Sequence, residues 1–188
     1  MLKKSILCLS FISIFTVSSF AQSDIRKVNF KNFTYQAYCA GEETEKITVK
    51  NGEFSSEKKV DDFIDRFYFN IFSVKYGDLD GDKKDEAVIL SVCNTGGTGN
   101  FTEGFIYTLK AGKPTLLARI PGGDRAMGGL REATVENGLL VVDQNDPERN
   151  QASCCSEYAL LSKYRLNGKK LVEVGKPVSR ELHPSQRV

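Results

Sequence analysis

Three Asn-Gly pairs, each set between short runs of alternating apolar residues, constrain this chain more than any other feature. They stand in TVKNGEF at Asn51 and Gly52, in TVENGLLVV at Asn137 and Gly138, and in YRLNGKKLVEV at Asn167 and Gly168. Asn and Gly tolerate the positive φ that both central residues of a type I′ turn require, and the twist of that turn matches the twist of paired strands. Three hairpins are therefore expected. A fourth follows from GFIYTL and TLLARI around Gly112 and Pro114, with Phe105, Tyr107 and Leu109 on one face by the two-residue period.

The remaining segments point the same way. EAVILSVC is apolar at Ala87, Val88, Ile89, Leu90 and Val92 without alternation, which is how a strand covered on both faces reads, so it belongs at the centre of a sheet. KVNFKNFTYQAY alternates weakly and is read as a strand. KKVDDFIDRFYFNIFSVKYG is read as strand from about Phe67, its earlier half being compatible with a short helix. Capped segments with a 3.6-residue period are otherwise absent. The expected fold is mainly β, an antiparallel sheet or sandwich built from several hairpins, with little helix.

The chain opens MLKKSILCLSFISIFTVSSFAQS: two lysines, an apolar run from Ile6 to Val17, then small residues with Ala21 at the cleavage point. That order defines a secretory signal, and the run falls short of the roughly 20 residues a membrane-crossing helix needs. Residues 1–21 are thus expected to be removed, which places the protein in the periplasm or outside the cell with no membrane span. Cys8 lies near the start of the apolar run, the wrong place for a lipid anchor. Residues 22–176 are expected to form a single β domain, and the polar residues 177–188 a loosely ordered tail in which the only histidine, His183, is solvated. Loss of Lys3 and Lys4 leaves 24 basic residues against 24 acidic ones. A neutral surface has no long-range pull on phosphate backbones, which argues against a nucleic-acid partner.

Four cysteines remain after the signal, Cys39, Cys93, Cys154 and Cys155. An even set in an exported domain suggests two disulfides. A bridge between the adjacent Cys154 and Cys155 would strain the peptide joining them, so each is expected to take one of Cys39 and Cys93, in either combination. Zinc would call for paired CxxC spacings or nearby histidines.

The chemistry-bearing segment is YGDLDGDKKDEAVIL, with its Asp-rich loop at residues 78–86. Asp78, Asp80 and Asp82 alternate, followed at the same interval by Lys84 and Glu86. Calcium takes six to eight oxygen ligands, and this spacing offers three aspartates, the Lys84 carbonyl and the Glu86 carboxylate, with water completing the shell. An EF-hand would carry a bidentate glutamate at the twelfth position, where this chain has Ile89 inside the following strand. The alternative is a solvated acidic turn neutralised by Lys83 and Lys84.

Loop followed by strand resembles the FG-GAP type of repeat found in integrin-like propellers and in exported bacterial proteins, where DxDxDGxxD binds calcium ahead of a hydrophobic strand. The resemblance covers about fifteen residues. It implies that Asp78, Asp80, Asp82, the Lys84 backbone and Glu86 hold calcium. Lys83 stands where that repeat has glycine, at a position that often needs positive φ. A single DxDxD excludes a propeller, which needs several copies. The whole chain resembles small exported bacterial proteins with one such loop, a CNTGGTGN segment, PGGDR and a CC pair.

Neither glycine-rich segment, Asn94–Asn100 or Pro121–Gly129, has a phosphate-binding pattern, and both read as long hairpin loops. With one histidine and no recognisable nucleophile motif, catalysis is not expected. The functional expectation is an exported, non-catalytic calcium-binding β domain that binds an envelope or extracellular protein or glycan. One alternative is an exported inhibitor of a hydrolase such as lysozyme, a class that also tends to be small, disulfide-bonded and β with a protruding loop. Another is a small carboxylate-dependent hydrolase using Glu103, Asp124 and Glu132.

Overall fold

The computed structural model describes residues 24–187 other than 40 and 153; the signal segment, residues 1–21, lies outside the described residues. Twelve strands and two short 3₁₀ turns, Ile25–Lys27 and Pro184–Gln186, make up the described fold, with no α-helix. Antiparallel pairing runs throughout. A first sheet orders β3 (Glu53–Val60), β4 (Phe63–Gly77), β5 (Glu86–Asn94), β6 (Phe101–Lys110) and β7 (Lys113–Asp124) as a meander. The second runs β8 (Leu130–Glu136), β9 (Leu139–Asn145), β10 (Tyr158–Asn167), where β11 (Lys170–Glu173) and β12 (Val178–Glu181) divide the free edge of β10. The small hairpin β1 (Thr34–Ala37) and β2 (Glu45–Thr48) stands apart from both.

These pieces stack in three layers. On one face of the first sheet Phe69, Ala87, Ile89, Phe105 and Tyr107 pack with Ile25, Phe30, Tyr35, Ile47 and Val49 from the N-terminal layer. On the other, Val88, Leu90, Ile106 and Ile120 meet Leu130, Ala133, Leu140, Val142 and Leu166 of the second sheet. β5 lies at the middle of its sheet and is buried along nearly its whole length, Ala87 and Ile89 toward one core, Val88 and Leu90 toward the other. That is the physical meaning of its unbroken apolar run. Phe105, Tyr107 and Leu109 share the first core, as the alternation of β6 implies.

Turn chemistry decides where strands pair. Asn137 and Gly138, at φ 52° and 75°, join β8 to β9, and Ala111 and Gly112, at 49° and 73°, join β6 to β7. Asn51 and Gly52 also form a tight turn at positive φ, yet only Lys50 and Glu53 pair across it. Beyond that bridge β2 goes to β1 and β3 to β4, so this turn passes the chain between layers and closes no hairpin. In the third case Asn167 pairs with Lys170, and the turn residues are Gly168 and Lys169. Only Gly168 has positive φ, the type II′ pattern.

Other expectations are corrected by burial. β4 starts at Phe63, earlier than Phe67, and Asp61 at φ 53° turns it back onto β3; this hairpin carries no Asn-Gly signal. Of KVNFKNFTYQAY only Thr34–Ala37 is strand. The tail is partly ordered, because β12 completes the β10 edge and Leu182, 1% exposed, inserts behind it. His183 is exposed. The disulfide pairing also differs from expectation. Cys39 pairs with Cys93, their Cα atoms 5.6 Å apart, and Cys154 pairs with Cys155. Cys39 follows β1 on the β5 face that carries Cys93, whereas Cys154 and Cys155 belong to the β9–β10 connection of the other sheet.

Candidate metal centre

Gly77 ends β4 tight against β8, where a Cβ would lie 2.6 Å from the Val135 Cβ, and the chain then turns through Asp78–Asp85 before entering β5 at Glu86. Two residues of this loop take the left-handed region, Gly81 at 83° and Lys83 at 67°. Lys83 therefore holds a conformation that favours glycine, at a cost of about 1 kcal/mol. Aspartates organise the turn. Asp78 accepts the Gly81 amide (2.6 Å) and the Lys83 amide (2.9 Å), Asp80 accepts Asp82 N (3.1 Å), and Asp82 accepts Lys84 N (2.8 Å).

Two anchors hold the loop to the body. Leu79 is buried in the core between the sheets, and its amide donates to Glu86 Oε2 at 2.9 Å. Arg26, from the N-terminal 3₁₀ turn, bonds Asp85 at 2.5 Å and lies over the Tyr76 ring. Neither anchor was visible in the sequence, since both depend on contacts from other layers.

Asp78, Asp80 and Glu86 each bring one carboxylate oxygen within 4.8 Å of the others. Even in an equilateral arrangement at that limit, a point about 2.8 Å from all three exists, close to the calcium–oxygen range of roughly 2.3–2.6 Å. Asp82 stands outside this group, with its carboxylate 3.7 Å from the Lys84 ammonium. Among the described residues, no cationic side chain lies within ion-pairing distance of Asp78, Asp80 or Glu86. Glu86 is 0% exposed, and its Oε1 has no hydrogen-bond partner. Burial raises its pKa above the ordinary carboxylate value; the Leu79 amide and Thr108 pull it back, and the charges of Asp80 and Asp82 raise it further.

The acids near the glycine loops are tied elsewhere. Glu103 pairs with Arg119, Asp124 with Arg125 at 3.2 Å, and Glu132, on the second sheet, lies 3.9 Å from Lys75. The glycines themselves meet packing needs: a Cβ at Gly122 would fall 2.3 Å from the Thr102 carbonyl oxygen. In the Asn94–Asn100 loop, the Asn94 amide spans the Gly97 and Gly99 carbonyls and accepts Gly96 N. No helix among the described residues is long and apolar enough to cross a membrane. Comparisons with family models, with curated proteins and with solved structures return no match.

Proposed function

We propose that this chain is an exported, non-catalytic β domain that holds one structural calcium ion in the Asp78–Glu86 loop and binds an envelope or extracellular protein or glycan. One observation carries the metal reading: a fully buried carboxylate, Glu86, with one oxygen unpartnered, sharing a 4.8 Å cluster with two aspartates that no lysine compensates. Leaving one oxygen of the buried Glu86 carboxylate unpartnered is costly, and a divalent cation shared with the half-buried Asp78 and the exposed Asp80 would offset that cost and the repulsion among the three acids. Asp78, Asp80 and Glu86 would supply carboxylate oxygens. The Lys84 carbonyl and Asp82 complete the set that the FG-GAP resemblance implies. Magnesium keeps more of its water and demands octahedral geometry, so calcium suits an irregular all-oxygen loop better.

The pairing of Glu103 and Asp124 with arginines supports a binding role over hydrolysis. The inhibitor reading has one observation of its own. Beyond Tyr68 the β3–β4 ribbon has no further strand beside it among the described residues, and its tip presents Phe63 (77% exposed) and Ile64 (56%). Exposed apolar residues on a protruding hairpin suit insertion into a partner's cleft.

Calcium titration by calorimetry on the mature protein tests the metal reading. One site is expected, abolished by Asp80→Ala, with magnesium much weaker; heatless titration with unaltered melting in EDTA would refute it. Pull-down from envelope extract, with the Phe63→Ser variant as control, separates inhibitor from general binding module by the identity of what is retained.

A further inference from the structure

A cavity of about 380 Å³ opens between the turn that follows β1 and the β6–β7 pair, on the side of the molecule where Cys39 is bonded to Cys93. Glu103 and Arg119 stand in its wall as an ion pair, their side chains 13% and 24% exposed. The pair is held from several directions. Glu103 Oε2 accepts the Tyr38 amide at 2.9 Å, Arg119 Nη2 donates to the Gln36 carbonyl at 2.6 Å, and the guanidinium lies between the Tyr38 and Phe105 rings at 4.9 and 5.3 Å. Tyr38 lines the cavity and remains 44% exposed.

As a purely structural device this arrangement is a poor choice, because a largely desolvated ion pair adds little over apolar residues of the same size. Its chemistry suits a ligand. Each Glu103 oxygen uses one of its lone pairs and Arg119 uses two of its five donors, so acceptor and donor capacity remain side by side. Adjacent hydroxyl groups, which both donate and accept, match such a pair. The two charges cancel, so the cavity offers no net attraction to an anion or a cation. The disulfide, Phe101, Ile120 and Pro121 give the wall an apolar part beside the hydroxyls of Ser91 and Thr102, and an exposed tyrosine ring suits the C–H face of a pyranose.

We infer that this cavity binds a neutral sugar unit, with Tyr38 as its platform and the Glu103–Arg119 pair reading vicinal hydroxyls. This inference rests on the binding-module reading and names the glycan branch of it. The disulfide has a defined part: Cys39, in the left-handed region at φ 43°, fixes the residue after Tyr38 to β5 and so holds the platform beside Arg119.

The test is saturation-transfer NMR and calorimetry on the mature protein in calcium buffer, with maltotriose, cellotriose and chitotriose as neutral probes and tri-galacturonate as the charged one. At least one neutral trisaccharide is expected to bind. Tyr38→Ala, at a half-exposed site, should weaken it on the order of tenfold without lowering the melting temperature. Glu103→Gln should weaken the neutral sugar similarly and create affinity for tri-galacturonate, since Arg119 is left uncompensated; a merely structural role for the pair predicts no such switch. Failure of all three neutral probes, binding indifferent to Tyr38→Ala, or binding of tri-galacturonate alone by the unaltered protein would overturn the inference. Retention of an envelope protein with none of the trisaccharides bound would end this inference and leave the binding module standing, whereas sugar binding with no calcium titration would do the reverse for the metal loop.

Discussion

Replacing Glu86 by Gln should change stability in opposite directions with and without calcium. In EDTA at neutral pH the buried Glu86 carboxylate is unpaired at Oε1 and surrounded by like charge from Asp80 and Asp82, so removing the charge should stabilise the fold. An unsatisfied buried group of this kind costs about 1–3 kcal/mol, and part returns because the Gln amide also lacks partners, leaving a gain of about 1 kcal/mol. In calcium the sign reverses. A hundredfold excess over the dissociation constant stabilises the native protein by about 2.7 kcal/mol, and the variant forfeits most of this. For a domain of this size the calcium increment corresponds to roughly 5–10 °C. The pH dependence follows from the raised Glu86 pKa: the folded state takes up a proton, so apo stability falls as pH rises from the ordinary glutamate value, about 4.3, through the raised one. The advantage of Glu86→Gln in EDTA should accordingly vanish on acidification. Thermal melting by circular dichroism, in EDTA and in millimolar Ca²⁺ at several pH values, reads all of this. A variant less stable than the parent in EDTA at neutral pH would refute the reasoning, because Glu86 would then be satisfied without metal.

The two disulfides should differ sharply. Cys39–Cys93 closes a separation of 54 residues, for which chain entropy gives about 4 kcal/mol as an upper figure, whereas Cys154–Cys155 closes none, so urea denaturation should show Cys39→Ser costing about 2–4 kcal/mol and the Cys154→Ser/Cys155→Ser double variant almost nothing. Peptide mapping of unreduced protein should recover Cys39 linked to Cys93. Phe105→Ala, at a fully buried ring packed on Tyr35 and Tyr107, should cost about 3–5 kcal/mol by the same assay. Leu182→Ala should cost about 2–3 kcal/mol, a loss that a solvated tail would not show.

What the sequence made legible was local. The Asn-Gly turn at 137–138, the alternation of β6 and the unbroken apolar run of β5 each follow from a period or a turn read within a dozen residues, and each stands in the fold as expected. The misreadings at Asn51–Gly52, at Cys39 and at β12 share a cause, which is that the deciding partner is distant. Asn51 and Gly52 do form a tight turn, but Gly52 N donates to the Lys31 carbonyl and its own carbonyl accepts Ile71 N, and these contacts pull the flanking strands into different layers. The Cys39–Cys93 bond depends on the β1–β2 layer lying over β5, which no spacing encodes. β12 is polar in sequence because it is an edge strand with Leu182 as its only buried anchor.

The candidate metal loop shows the same division at higher resolution. Alternating acids announced a cluster, yet alternation alone could not say which acids converge. Glu86 is drawn in because it opens β5, a strand buried from both sides, so its carboxylate has no route to water and must meet the loop that crosses above it. Asp82, at the exposed crest, turns to Lys84 instead. The loop is fastened to both cores, through Leu79 to the one between the sheets and through Asp85 and Arg26 to the N-terminal layer. A cation held by Asp78, Asp80 and Glu86 would therefore join the end of β4 to the start of β5 at the place where all three layers meet. On this account calcium removal should loosen the N-terminal layer as well as the loop: hydrogen exchange at Tyr35 and Ile47, which precede Asp78 by 43 and 31 residues in sequence, should quicken in EDTA. Exchange confined to residues 78–86 would mean that the loop is a passive turn and that the layers hold together without it.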